Sequence, residues 1–222
     1  MKQIYFASIL LFLVFFISIN RINALVDELP LLNKIIYIDP GHGGTDPGTL
    51  YRDIYEKDIN LEISKLVRDE LLKKGAVVYM TREGDYDLSF PYAYERKRSD
   101  LSNRIKLIEK TNSDMYLSIH LNSIDSSTWS GAQVFYNDIN KENKIFAEIM
   151  QNSFAKNLNS KRDIKEVNDL YMYKSTKTLG LLLEVGFLSN PNERYLLRQE
   201  NYQKKIALSI TKGVIDYYEK KS

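Results

Sequence analysis

Residues 35–44 read IIYIDPGHGG, an apolar, β-branched run that leads into a glycine-rich turn. A second run of this kind, MYLSIH at residues 115–120, also ends on a histidine. The chain has only two histidines, His42 and His120, so each of them follows a strand-like segment. Strand ends and the turns after them are where an α/β protein exposes reactive groups along one edge of its sheet. These two segments therefore predict an α/β fold with a pair of imidazoles at the sheet edge.

Strand-like and helix-like segments alternate along the chain from residue 34 onward. We expect strands at residues 34–39, 77–81, 115–120, 132–136, 170–173 and 179–185. Stripes of apolar residues predict helices at residues 59–71, 100–111, 146–158 and 206–217, with surface loops at residues 84–98 and 159–169. The fold class is therefore α/β, a single three-layer domain with a twisted, mostly parallel or mixed sheet of about six strands flanked by helices.

The N-terminus differs from the rest of the 222-residue chain. Residues 4–19 carry no charge and follow Lys2, which is typical of a signal peptide or of a short membrane anchor, because a full span needs about 20 apolar residues. The flanking residues match a cleavage site poorly, so both alternatives stay open. We expect residues 1–24 to be that signal or anchor, residues 25–33 a linker, and residues 34–222 the catalytic domain. The protein is then exported, and it meets a membrane only through this segment.

The charge balance argues against a polyanion-binding protein, and the absence of cysteine excludes disulfides and thiolate metal sites. Removing residues 1–24 would remove Lys2 and Arg21 and leave 29 basic and 29 acidic residues, so a nucleic-acid or general polyanion binder is not expected. The chain has no cysteine and therefore neither a disulfide nor a thiolate metal site. The oligomeric state is left open.

The two histidines suit a metal site if their side chains converge. A lone histidine is more often a hydrogen-bonded core or surface residue, but two in the same structural setting suit zinc, and without cysteine the remaining ligand must be a carboxylate. Two motifs offer one each, YEKDIN with Glu56 and LLLEVGFLSN with Glu184. Hydrolytic zinc sites use three protein ligands and keep a position for water, and His42, Glu56 and His120 could supply them.

Glu184 interrupts an apolar strand in which a carboxylate is costly unless it is paired or used. No lysine or arginine lies within several residues of it, so we expect a general base whose pKa is raised by burial rather than a structural ion pair. Asp39, just before the turn, is a candidate to orient His42 from behind. Its alternative role is an aspartate that caps the turn before Pro40.

Five motifs in order resemble the zinc-dependent N-acetylmuramoyl-L-alanine amidases, a family of cell-wall hydrolases, over nearly all of residues 34–222. These are IDPGHGGTDPG, YEKDINLEIS, MYLSIHLNS, GAQVFY and LLLEVGFLSNPNE. The resemblance implies one Zn²⁺ ion held by His42, Glu56 and His120, with Glu184 as the catalytic glutamate. It also implies cleavage of the amide between the lactyl group of muramic acid and L-alanine of the stem peptide.

Further details, MTREGDYDL and TWSGAQVFY, resemble the germination-specific amidases of spore-forming bacteria. That resemblance implies peptidoglycan of the spore cortex as the substrate, in a step toward muramic-δ-lactam, and a location in the cell wall or cortex space of the developing spore. The segment after GAQVFY is short, so we expect no built-in inhibitory helix. Regulation would then come from localisation, from the metal or from an accessory or activating protein.

Two more residues are candidates for substrate or supporting contacts. Asn122, just beyond His120, could hydrogen-bond the substrate or simply form a turn. Arg82 could meet a peptide carboxylate, although a surface ion pair is the commoner fate of such a residue. The alternatives to an amidase are a zinc peptidase that acts on the stem peptide, a non-catalytic wall-binding protein, and a membrane-anchored interaction module.

Overall fold

A computed structural model describes residues 12, 15, 16 and 28–221 of this chain. Most of the expected signal or anchor, and the first part of the expected linker, lie outside these residues. In the described part, no helix combines the length and apolarity needed to cross a membrane. Leu31, from the expected linker, is fully buried in the core, and its N–H donates to the carbonyl of Lys74, so this part of the segment packs against the domain.

Eight strands and six helices account for the regular structure of the described residues. The strands are β1 (Ile35–Pro40), β2 (Leu50–Tyr51), β3 (Ile54–Tyr55), β4 (Val77–Met80), β5 (Met115–Asn122), β6 (Gln133–Tyr136), β7 (Lys165–Glu166) and β8 (Leu179–Phe187). The helices are α1 (Glu56–Lys73), α2 (Arg96–Lys110), α3 (Glu142–Leu158), α4 (Tyr171–Ser175), α5 (Pro191–Leu197) and α6 (Glu200–Lys221).

Six of the strands form one mixed sheet in the order β4-β1-β5-β8-β6-β7, and β2 pairs with β3 in a separate hairpin. All neighbours in the sheet run parallel except β6 and β8, which are antiparallel. Central strands of parallel sheets are buried on both faces, which explains the nearly unbroken apolar runs of β1, β5 and β8. The predicted fold class, with about six strands in a mostly parallel or mixed sheet, is confirmed.

The strand expected at residues 170–173 is wrong, because the chain forms α4 over Tyr171–Ser175. The Ser175 hydroxyl donates to the carbonyl of Tyr171 at 2.8 Å, a contact made across one helical turn. A short run of apolar and aromatic residues does not distinguish strand from helix by periodicity. The edge strand β7 lies instead inside the segment that was expected to be a loop.

The two faces of the sheet differ, and the difference positions the site. One face buries residues such as Ile36, Leu117 and Leu181 in a large core with α1, α3 and α6. The opposite face has a small cluster in which Tyr37 and Tyr116 pack with Ile108 of α2. Because side chains alternate along a strand, the next residues on that second face are polar. They are Asp39 of β1, Ser118 and His120 of β5, and Glu184 of β8.

Candidate metal centre and active-site cavity

The glycine-rich turn after β1 carries His42 and places its imidazole beside Glu56. His42 has a φ of 62°, a left-handed backbone conformation that few residues other than glycine adopt. The Arg104 guanidinium holds this backbone by donating to the His42 carbonyl at 2.6 Å. On the ring, Nδ1 lies 2.9 Å from Asp46 Oδ2, which leaves Nε2 facing Glu56 Oε1 at 3.2 Å.

Glu56 begins α1, and its carboxylate is buried between the two histidines. Its Oε1 lies 3.1 Å from Nδ1 of His120 and also accepts the N–H of Leu121 at 3.1 Å. Its Oε2 accepts the N–H of Thr49 at 2.8 Å, which fixes the carboxylate from the other side. Burial opposes ionisation, but the hydrogen bonds to both histidines hold the pKa of Glu56 far below its usual value. The carboxylate is therefore charged and oriented before any ligand arrives.

The donor atoms of His42, Glu56 and His120 lie within 4.8 Å of one another, close enough to hold one metal ion. Two imidazole nitrogens and one carboxylate oxygen are a common donor set for divalent transition metals in hydrolases. Asp46 binds the ring nitrogen of His42 that faces away from the cluster, which fixes the tautomer that presents Nε2. The residues present therefore fit a metal ion.

In the metal-free protein, a proton on His42 supplies positive charge between the carboxylates of Asp46 and Glu56. Burial opposes protonation of His42, but hydrogen bonds to Asp46 and Glu56 raise its pKa to about 9. The same contact with His42 lowers the pKa of Asp46 to about 2. A metal ion and this proton compete for the same imidazole, so metal binding releases a proton.

Glu184 is the residue of β8 that pairs in register with His120 of β5, and Gln133 of β6 is its partner on the other side. Among the residues that the structure describes, no group forms a hydrogen bond with the buried Oε2 of Glu184. Burial raises the pKa of this carboxyl to about 7, and the charge of His120 only partly offsets that effect. A carboxyl with a pKa near neutrality is suited to accept and return a proton.

The Glu184 pKa predicts how stability changes with pH in the metal-free protein. Below its usual pKa of 4.5 the carboxyl is neutral in the folded and unfolded states, whereas between 4.5 and about 7 only the unfolded chain ionises. Folding therefore loses stability as the pH rises through this interval, by about 3 kcal/mol at most. We expect metal-free Glu184→Gln to lose less stability than the wild type between pH 5 and pH 8. Urea unfolding in chelator measures this, and equal losses in both proteins would contradict the assigned burial.

Among the described residues, Asp39 forms no hydrogen bond with the His42 ring, so an orienting role for it stays a prediction and would have to pass through other groups. Its carboxylate is buried and accepts hydrogen bonds from Thr81 Oγ1 at 2.6 Å, Ser118 Oγ at 2.7 Å and Arg104 Nη1 at 2.7 Å. Burial opposes ionisation, but Arg104 and the two hydroxyls hold the pKa of Asp39 below its usual value. Any effect of Asp39 on His42 would therefore pass through Arg104, and Asp46 makes the direct contact.

The Arg82 side chain is buried, so it does not lie at the surface where arginines commonly form ion pairs. Its guanidinium donates to the carbonyls of Pro40 at 3.0 Å and Gly41 at 2.9 Å, and so supports the turn that carries His42. Asn122 ends β5 and lines the cavity beside His120. A substrate contact by Asn122 stays a prediction.

His42 and His120 of the metal cluster line one cavity of about 670 Å³ together with Glu184. Its walls contain apolar and aromatic side chains, among them Leu101, Trp129, Phe135, Leu170 and Phe187. A cavity of this size holds a ligand of a few hundred daltons. Sequence reasoning did not single out Asp46, Arg104 or Gln133, although they surround the site.

Gly41 leaves the space that the His120 ring occupies. A Cβ at this position would overlap the imidazole of His120, and the rigid backbone of β1 gives it little room to move. We expect Gly41→Ala to displace the ring and to lower metal affinity by about 10- to 100-fold, the loss typical of disturbing a supporting group. Gly84→Ala, whose Cβ would come no closer than 3.3 Å to the Tyr86 ring, is the control. Titration with a fluorescent zinc chelator measures both, and unchanged affinity in Gly41→Ala would contradict the packing.

Comparisons with known proteins agree on one family. Residues 36–216 match the family model described as N-acetylmuramoyl-L-alanine amidase. The chain is 46% identical over 198 residues to the germination-specific N-acetylmuramoyl-L-alanine amidase of Bacillus subtilis, covering 87% of this chain and 84% of that protein.

Solved structures give the same result. The CwlD amidase from Clostridioides difficile, solved in complex with the GerS lipoprotein, is 36% identical and superposes with a TM-score of 0.80 over 84% of this chain and 99% of that chain. The catalytic domain of CwlV, an amidase from Bacillus (Paenibacillus) polymyxa, is 30% identical with a TM-score of 0.73 over 84% of this chain and 98% of that domain. This chain belongs to the N-acetylmuramoyl-L-alanine amidase family.

Proposed function

We propose that this chain is a zinc hydrolase that cleaves the amide bond between the lactyl group of N-acetylmuramic acid and L-alanine of peptidoglycan stem peptides. The observation that carries the proposal is one cavity lined by two residues of a three-residue metal cluster and by a carboxyl group whose buried Oε2 has no hydrogen-bond partner among the described residues. The cluster is His42, Glu56 and His120, and the carboxylate is Glu184. Family membership supplies the substrate class.

Zinc is the metal that fits this donor set best. Two imidazoles and one carboxylate, without thiolate, match the ligands of catalytic zinc sites, which also keep one position open. Bound zinc would supply Lewis acidity, which polarises the scissile carbonyl and lowers the pKa of water. The contact of Asp46 with Nδ1 of His42 leaves Nε2 of that ring for the metal, and the Glu56 carboxylate supplies the one negative charge of the donor set.

Glu184 moves the proton. Its buried Oε2 accepts a proton from the attacking water as the new carbon–oxygen bond forms at the lactyl carbonyl. The same carboxyl then donates that proton to the alanine nitrogen as the carbon–nitrogen bond breaks. The products are a muramic acid with a lactyl carboxylate and a stem with an L-alanine ammonium group, which takes up the proton of the new carboxylic acid, so atoms and charges balance.

We place the reaction in spore cortex, during the preparation of cortex peptidoglycan for germination. What supports this setting is the 46% identity to a germination-specific relative that the chain covers over most of its length. A spore of a strain that lacks this protein should contain cortex with intact stem peptides in place of muramic-δ-lactam. Normal lactam content in that strain would contradict the cortex assignment.

Export through residues 1–24 is part of the same proposal, with residues 34–222 as the catalytic domain. Its support is the uncharged run at residues 4–19 behind Lys2. Intact-mass measurement of the protein recovered from spores decides between the two forms. A mass without the first residues indicates a cleaved signal, the full mass together with membrane association indicates a retained anchor, and a full-length protein in the cytoplasm contradicts export.

An accessory protein is a further element of the proposal. Its support is that a relative, the CwlD amidase, was solved in complex with a lipoprotein. If such a partner is needed here, the purified chain alone should hydrolyse cortex fragments slowly, and spore-envelope extract from a strain that lacks the amidase should accelerate it. Full activity of the chain alone would remove this element.

Product analysis tests the central proposal. Cortex fragments treated with zinc-loaded protein are compared by mass spectrometry with fragments treated in the presence of a chelator. We expect free stem peptides with an L-alanine amino terminus and glycan that keeps the lactyl group, in the zinc sample only. Cleavage inside the stem would indicate a peptidase, and unchanged fragments with full substrate binding would indicate a wall-binding protein.

A further inference from the structure

The charges along the cavity are distributed unevenly between its two sides. On the β1 side, the carboxylates of Asp39 and Asp100 both pair with Arg104, and Asp46 pairs with His42 while Lys97 lies nearby. Glu184 on β8 marks the middle of the sheet order. The β6–β7 side contributes cations to the wall.

Those cations are Arg162, which precedes β7, and Lys165 within it. Within residues 28–221, Arg162 forms no ion pair with a carboxylate. Glu193 acts on the guanidinium electrostatically but without an ion-pair contact among these residues, whereas the buried Arg104 pairs directly with two carboxylates.

The Arg162 side chain is held in place by neutral groups. The guanidinium lies over the Trp129 ring at 4.5 Å from the ring centre, and 5.6 Å from that of Phe187. Its Nη2 and Nε donate to Oε1 of Gln133 at 2.8 and 3.3 Å. The amide of Gln133 is itself oriented, because Nε2 donates to the carbonyl of Asp163 at 2.8 Å. A stacked and hydrogen-bonded arginine that has no carboxylate in direct contact is suited to bind one.

Arg162 is connected to the reacting centre through Gln133, the strand neighbour of Glu184. Gln133 is the strand neighbour of Glu184, at the usual strand spacing of about 4.8 Å, and one hydrogen bond then separates it from the guanidinium. An extended peptide advances about 3.3–3.6 Å per residue, so the residue after L-alanine reaches this position. In peptidoglycan that residue is a glutamate linked through its side chain, which leaves its α-carboxylate free. The sugars carry no charge.

From this geometry we infer that Arg162 binds the free α-carboxylate of the second stem residue and so selects stems in which this group is not amidated. The stem then lies over β6 and β7, and the glycan strand lies toward β1. The inference rests on the proposed function, because it places the lactyl amide at the metal cluster. Arg162 is a specificity-determining residue and takes no part in proton transfer.

The test compares two muropeptides that differ only at the second stem residue, one with the free α-carboxylate and one with the α-carboxamide. We expect wild-type kcat/KM to be about 10- to 100-fold higher for the acid, the worth of one charge-assisted contact. Arg162→Gln should lose that preference by cleaving the acid more slowly and the amide at an unchanged rate. Lys161→Gln removes an exposed charge from the same loop and should keep the wild-type preference.

Binding is measured separately by calorimetry with the Glu184→Ala variant, with and without Arg162→Gln, so that this readout does not depend on turnover. The same preference for the acid should appear in Kd and disappear with Arg162→Gln. Equal rates for both muropeptides in the wild type, or an equal loss on both in Arg162→Gln, would overturn the role of Arg162 and leave the amidase intact. Absent cleavage together with an Arg162-dependent binding preference would overturn the proposed reaction instead.

Discussion

Glu184→Ala is expected to abolish amide hydrolysis while the protein still binds one metal ion. The side chain projects into the cavity from β8, beside His120, but it is not part of the His42, Glu56 and His120 cluster. Its buried Oε2 has no hydrogen-bond partner among the described residues, so it is free to accept the proton of the attacking water. Loss of a positioned general base typically costs about 10²- to 10⁴-fold in rate.

Two more variants sharpen this prediction. Glu184→Gln keeps the shape of the side chain but cannot accept the proton, so it should be as slow as Glu184→Ala. Glu148→Ala removes an exposed glutamate from α3, a helix that packs on the other face of the sheet, and should behave as the wild type. Rates are measured by release of L-alanine amino termini, and metal content by inductively coupled plasma mass spectrometry. Retained cleavage in Glu184→Ala would remove the assigned base.

His42→Ala and His120→Ala are expected to lower metal affinity by more than about 100-fold and to lose activity in proportion. Each variant removes one of the three donors, and the two that remain cannot complete a catalytic zinc site. Loss of a supporting group behind a metal ligand already costs about 10- to 100-fold, so loss of the ligand itself must cost more.

Asp46→Asn is expected to cause an intermediate loss of metal affinity. Asp46 touches Nδ1 of His42 and is not one of the three cluster residues, so its variant should fall between the wild type and His42→Ala. Competition with a chelator of known zinc affinity ranks the four proteins. Full zinc occupancy in both histidine variants would contradict the ligand set. A zinc affinity of Asp46→Asn as low as that of His42→Ala would contradict the assignment of Asp46 as a group that supports a ligand without being one.

The strands that carry the site residues were predictable, because a parallel strand that is buried on both faces has an almost unbroken apolar sequence. The runs that become β1, β5 and β8 identified the sheet and placed His42, His120 and Glu184 at its functional end. Helix α5 also had a local signal that was not used. Asn190 caps it by accepting the N–H groups of Asn192 and Glu193, directly before Pro191.

Contacts between distant segments could not be predicted in this way. Arg104 lies on a charged helix, where an arginine is usually exposed, yet it is buried and binds Asp39, 65 positions away, and the carbonyl of His42. The stacking of Arg162 on Trp129 likewise joins two loops that only the folded sheet brings together. Asp39 is also close to His42 in sequence, yet the carboxylate that contacts the His42 ring is that of Asp46.

The central claim is that His42, Glu56 and His120 hold one catalytic metal ion opposite Glu184. Anomalous diffraction at the zinc absorption edge, from crystals of the zinc-loaded protein, tests it most directly. The claim predicts a single strong peak in bonding contact with Nε2 of His42, Nδ1 of His120 and a carboxylate oxygen of Glu56, with Glu184 facing the open side. A peak elsewhere, or one coordinated by Glu184 in place of Glu56, would contradict it.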